Sequence, residues 1–304
     1  MMLELPSSDD GEMPTGVVVV AKRSKGKGKE KKDNKVKKDN KEKKVNKGPR
    51  RYRRHEGTGL KEYVQAKVSI MPPIEWPCKP IHMSGPADHY WEMFCPPRVS
   101  PLMPQKNTRS FDEINGWTIA PGKAADQIKQ MHMVFKPAVV LLCPPCTHVG
   151  FTWWSMFSNY WYRMPQDKRE SDVDRSLWQI QFSAALANQQ CLEGRWYILE
   201  HPDRALTWNM PFIIDLPGEK VRFDQCQVGL KGPNGLPLQK PTIIKTNIPG
   251  LIRRLESKVC RGGNKCPKHG SISGQINGHV ISKWAQVYPP GLCAIFQESI
   301  LELC

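Results

Sequence analysis

The sequence predicts an α/β domain: a Rossmann-like, mostly parallel sheet with flanking helices, preceded by a disordered basic tail. Three observations carry this. From His89 onward, short apolar runs alternate with longer segments of helical period. The run AVVLLC at 138–143 is apolar at every position, as a strand covered on both faces is. Basic residues crowd into one stretch near the N-terminus.

That stretch divides the chain of 304 residues, whose net charge is +16. Residues 22–54 hold 18 Lys or Arg against 4 Asp or Glu, while residues 1–21 hold four acids and no base. With almost no apolar side chain, residues 21–54 cannot offset the entropy of folding, and residues 1–55 read as disordered. Residues 56–88 are Pro-rich and read as an extended lead-in; residues 89–304 form the domain. A run of this charge density suits phosphate backbones or a nuclear import receptor. No apolar run reaches the roughly 20 residues of a membrane span, so the chain reads as intracellular and, given the basic run, nuclear. Its ten cysteines then read as thiols, catalytic groups or metal ligands rather than disulfides.

HYWEMFCPPR (89–98) reads as a short strand closed by Pro-Pro, and TRSFDEINGWTI (108–119) as a strand with acids at its end. Residues 122–136 place Ala125, Ile128, Met131, Met133 and Phe135 near helical spacing, and the strand AVVLLC follows. Residues 172–195 form the clearest helix, with Val173, Leu177, Ile180, Ala184, Ala187 and Cys191 on one side. WYILEHP (196–202), EKVRFDQCQVGL (219–230) and KPTIIKTN (240–247) read as further strands. Open α/β sheets bind ligands beyond the carboxyl ends of their strands. Glu92, Asp112, Cys146 and Glu200 all stand at such ends.

Cys143-Pro-Pro-Cys146 admits three readings. It is a C-x-x-C that could exchange disulfides. It could be half of a zinc site completed by Cys260, Cys266 and His269 of CRGGNKCPKH; those three could also form a separate site with His279. Or Cys146 is a nucleophile held up at a strand end.

The order EMF-x-PP, FDEINGW, LLCPPC, ILEHP and DQCQVGL…KPT resembles that of the DNA cytosine-5 methyltransferases, particularly compact viral or mobile-element relatives. The likeness spans about residues 89–295. It implies a sheet that binds S-adenosylmethionine, with cofactor contacts from Glu92, Phe94, Asp112 (or Glu113, for the ribose) and Pro144. Pro145-Cys146 matches the family's Pro-Cys nucleophile, and Glu200 its base-binding acid. The cofactor-loop glycines are replaced by CPPR, Pro-Cys-Gln by Pro-Cys-Thr, and the Gln-x-Arg-x-Arg element is missing.

In that chemistry the Cys146 thiolate adds to C6 of cytosine, and protonation at N3, for which Glu200 is suited, eases the addition. The base must leave its stack. Trp153, Trp154, Phe157, Tyr160 and Trp161 read either as stacking partners or as core. His148 could assist the thiol, and Lys240 and Thr242 could meet phosphate. DNA is the expected partner, with RNA the other nucleic acid open. The alternatives are a catalytically inactive relative that binds nucleic acid, and a zinc-stabilised binding module with Cys260, Cys266 and His269 as ligands.

Overall fold

Four short runs, three of them largely apolar, line up as parallel strands. The structure, a computed structural model, describes residues 58–77, 87–104, 106–149, 161–262, 266 and 268–303. Within them lie β1 (Tyr90–Met93), β2 (Thr108–Phe111), β3 (Val139–Leu142), β4 (Trp196–Pro202), β5 (Glu219–Asp224) and β6 (Pro241–Thr246). They form one sheet in the order β2-β1-β3-β4-β6-β5. β2, β1, β3 and β4 run parallel. β6 enters antiparallel between β4 and β5. The α/β, mostly parallel sheet expected from the sequence is therefore present.

Alternation along each strand feeds two cores. Trp91, Met93, Val140, Leu142, Tyr197 and Leu199 face one layer, built from α1 (Thr58–Ile70), α2 (Lys123–Phe135) and α3 (Gln166–Leu192). Tyr90, Val139, Leu141, Ile198, Phe223 and Ile244 face the other, built from α4 (Pro249–Leu255) and α5 (Pro290–Leu301). Both faces of the central strands are covered, which is why β3 reads as an unbroken apolar run.

Element boundaries differ from the sequence reading in ways the structure explains. β1 stops at Met93 because Phe94 turns the chain with a φ of 63°. β2 stops at Phe111, where Asp112 caps a 3-10 turn, Glu113–Asn115, by accepting from the Ile114 amide. α3 begins earlier than expected, at Gln166 just after Pro165, and ends before Gly194, whose φ is 70°. β5 is shorter than the predicted 219–230, because the 3-10 turn Gln225–Val228 follows it.

The larger correction concerns residues 56–88, read as extended. Thr58–Ile70 form α1. The prolines begin only at Pro72, leaving thirteen residues free of proline. Leu60 and Val64, four apart, bury against the first core. Tyr63 Oη and Lys67 Nζ both bond Asp174 of α3 at 2.9 Å. The expectations for the Lys-rich tail lie outside the described residues. No helix among the described residues is long and apolar enough to cross a membrane.

Candidate functional site

From β1 the chain moves out to β2, then returns to β3 on the other side of β1. At such a switch point the loops beyond the strand ends diverge and leave a crevice. A cavity of about 550 Å³ lies there, lined from all four parallel strand ends by Phe94 and Cys95, Asp112 and Glu113, the Cys143–His148 stretch, and Glu200 to Pro202. Its volume falls in the range of small-ligand sites. Cys146, Glu200, Phe94, Asp112 and Pro144, all singled out in the sequence, meet in it.

Glu92 is not among the lining residues. Its side chain is fully buried, and its carboxylate accepts from the amides of Arg98, Val99 (2.9 Å) and Ser100 (3.0 Å) and from Ser100 Oγ (2.6 Å). It folds the loop 94–100 back against β1 and so shapes the cavity from behind. Phe94, at the head of that loop, holds the left-handed backbone that glycine adopts without strain.

The Cys-Pro-Pro-Cys turn is fixed by groups the sequence reading passed over. His201 Nε2 donates to the Pro144 carbonyl at 3.0 Å, and His201 Nδ1 accepts from Thr207 Oγ1 at 2.9 Å. Burial lowers the His201 pKa to about 4, keeping it neutral in that role. Cys143 Sγ lies 2.8 Å from Tyr288 Oη, which donates to Glu200 Oε2 at 3.0 Å. Glu200 Oε1 is buried and has no hydrogen-bond partner among the described residues. A carboxylate oxygen in that state seeks a donor.

Cys146 responds to the same neighbourhood. Burial raises its thiol pKa, the Glu200 charge raises it further, and Lys240 opposes both. Lys240 is thus at the site, though its ammonium donates to the Ala285 carbonyl at 3.1 Å. Thr242 is buried and accepts from Gln225 Nε2 at 3.0 Å, a sheet-internal role. His148 lines the cavity, with Nδ1 2.9 Å from Ser176 Oγ. Burial lowers its pKa. Arg98, Arg175 and Lys283 join Lys240 as cationic lining.

Of the aromatic run, Trp153, Trp154, Phe157 and Tyr160 lie outside the described residues. Trp161 belongs to the core, 5.6 Å from the Tyr63 ring.

Cys260, Cys266 and His269 converge elsewhere, and Cys226 joins them: the four ligand atoms all lie within 4.8 Å of one another. This Cys3His set can hold a metal such as zinc. Neither Cys143 nor Cys146 belongs to it. His279 does not either; its ring packs edge-on against Trp284 at 5.0 Å. A hydrogen bond from the Gly262 amide lowers the Cys260 pKa, whereas burial pushes Cys226 up to about 12. Cys226 was missed because it stands 34 residues upstream of Cys260, just past a strand, with no local spacing to mark it.

Compared with known families and curated proteins, the chain matches no family model and no curated protein. The class is therefore set by fold and site alone: an α/β protein with a thiol and a half-satisfied carboxylate in one switch-point cavity.

Proposed function

We propose that the protein binds nucleic acid, DNA in the first instance, and transfers a methyl group from S-adenosylmethionine to carbon 5 of a cytosine held in the cavity. The observation that carries this reading is Glu200 Oε1, buried and unpartnered on the wall that also presents Cys146. A flipped cytosine offers N3 and its exocyclic amino group to such an oxygen.

The Cys146 proton would pass through water to the Glu200 carboxylate while the Cys146 sulfur adds to C6, breaking the C5–C6 double bond. Glu200 holds a proton against N3, so the ring electrons move toward C5. C5 would take the methyl group and give its own proton to water, and the Cys146 sulfur would leave as a thiolate, restoring the double bond and recovering its proton from Glu200. S-adenosylmethionine supplies the methyl group when bound. Asp112 and Glu113, beyond β2, would take its ribose hydroxyls, and Phe94 and Trp117, in the same lining, would offer ring faces. The fit rests on Phe94, whose left-handed backbone supplies the turn that glycine gives in the family resembled.

Arg98, Arg175, Lys240 and Lys283 suit an entering phosphate backbone. The Lys-rich residues 22–54 would add to that attraction and suit nuclear import. A second reading, an inactive relative that binds nucleic acid alone, is favoured by the raised Cys146 thiol and by Pro96-Pro97, which lack an amide donor. In either reading none of the four Cys3His residues lines the cavity.

The test is calorimetry of S-adenosylmethionine with the full chain and its Cys146→Ser variant, followed by trapping on fluorocytosine DNA. The proposal expects both proteins to bind cofactor and only the Cys146 protein to form a covalent adduct. Binding of DNA without cofactor binding or adduct would replace it with the second reading.

A further inference from the structure

We propose that Cys226, Cys260, Cys266 and His269 bind one zinc ion, and that this ion staples the lobe that supplies Lys283 and Gln286 to the cavity. The inference stands apart from methyl transfer and holds whichever reading of the cavity is right.

The geometry is close to that of a bound site. Zinc–sulfur and zinc–nitrogen bonds at a tetrahedral angle place the two ligand atoms about 3.6 Å apart. Cys260 Sγ and His269 Nε2 are 3.5 Å apart. The thiols have supporting donors around them. Gln227 Nε2 lies 3.3 Å from Cys266 Sγ and 3.7 Å from Cys226 Sγ. Asp224 accepts from the Cys260 amide at 2.8 Å and bonds Arg222. Hydrogen bonds to thiolates and to the backbone that carries them are what orient metal ligands. Three sulfurs and one imidazole favour zinc over magnesium or calcium.

The lobe needs such a staple. Its own core consists of Leu230, Leu238, Ile281 and Ala285. Four buried apolar side chains are far fewer than keep small domains folded unaided. The ligands tie its pieces together. Cys226 follows β5; Cys260 and Cys266 follow α4; His269 precedes Gly270, which bridges to Leu238. Beyond them, β7 (Gln275–Ile276) and β8 (His279–Val280) lead into the turn of helix Ile281–Trp284, and so to Lys283 and Gln286 at the cavity.

The experiment is elemental analysis of full-length protein purified under reducing conditions, with hydrogen exchange before and after chelation. We expect about one zinc per chain, lost in Cys226→Ser, retained in His269→Cys and in Cys191→Ala, a cysteine outside the cluster. Chelation should speed exchange in residues 226–232 and 268–288, leave β1, β3 and β4 protected, and be reversed by added zinc. That exchange result stands even if Cys226→Ser fails to fold. Metal-free protein that takes up no zinc, an iron–sulfur cluster, or a disulfide among the four would overturn the proposal.

Discussion

Acidification from pH 7 toward pH 4 should unfold the protein through two histidines. His132 and His201 are 0% and 1% exposed. Burial is the main cause that lowers each to about 4; the Arg195 charge adds to it at His132, where Glu193 opposes, and Lys240 adds to it at His201, where the Pro144 carbonyl opposes. In the unfolded chain each titrates near 6.5. A base with a depressed folded pKa binds its proton less readily when folded. Its contribution is complete above pH 6.5 and is lost as the pH falls toward 4. The gap corresponds to about 3 kcal/mol for each histidine, hence about 6 kcal/mol together, a large share of the roughly 5–15 kcal/mol of a typical domain. Near pH 5 the combined slope is about 2.5 kcal/mol per pH unit. Urea unfolding followed by tryptophan fluorescence at pH 7, 6, 5.5 and 5 measures it. His201→Gln should roughly halve the slope. A urea midpoint that stays flat from pH 7 to pH 5, above the carboxylate range, would refute the reasoning.

Three further outcomes follow from single contacts. Glu200→Gln removes the charge that helps hold Cys146 protonated, so iodoacetamide should label Cys146 faster at a given pH; an unchanged or slower rate counts against their coupling. Tyr288→Phe removes the hydroxyl shared by Cys143 and Glu200 and leaves a buried carboxylate without partners, a cost of about 1–3 kcal/mol in denaturant melts. Gly218→Ala should cost on the order of 2–4 kcal/mol, because its Cβ would sit 2.3 Å from the Thr246 carbonyl oxygen at a φ of +112°; wild-type stability there would mean the β5–β6 corner relaxes easily.

The sheet was legible because burial on both faces leaves no polar position in β3, and because β4 matches WYILEHP from end to end. The clustering of Cys146, Glu200 and Asp112 was legible for a related reason: parallel strands place their carboxyl ends on one edge. Glu92 shows the limit. An acid at a strand end looks the same in sequence whether it faces a ligand or accepts four hydrogen bonds from its own loop. Tyr288 and Cys226 show another. Each reaches its partners across long sequence separations, Tyr288 to Glu200 over 88 residues, and no local period encodes that. α1 was hidden by its surroundings, since the prolines after it colour the whole segment.

The electrostatics of the cavity bear on how the proposed chemistry would start. Burial and the Glu200 charge together favour the Cys146 thiol over the thiolate. Taken alone, that describes a resting nucleophile. Glu200 Oε1, however, has no donor among the described residues, and in the proposed reaction the polar edge of a base would supply one. A base that shares a proton with Glu200 cancels the charge felt by Cys146, so binding and activation become one event. Without a base the thiol stays protonated and poorly reactive, which also protects a partly buried cysteine from oxidation. The coupling is measurable without turnover: the Cys146 alkylation rate should rise when a saturating cytosine-containing oligonucleotide with a small alkylating probe is compared with one carrying an abasic site at the same position. Equal rates for the two oligonucleotides would separate Glu200 from the nucleophile and leave the cavity a binding site only.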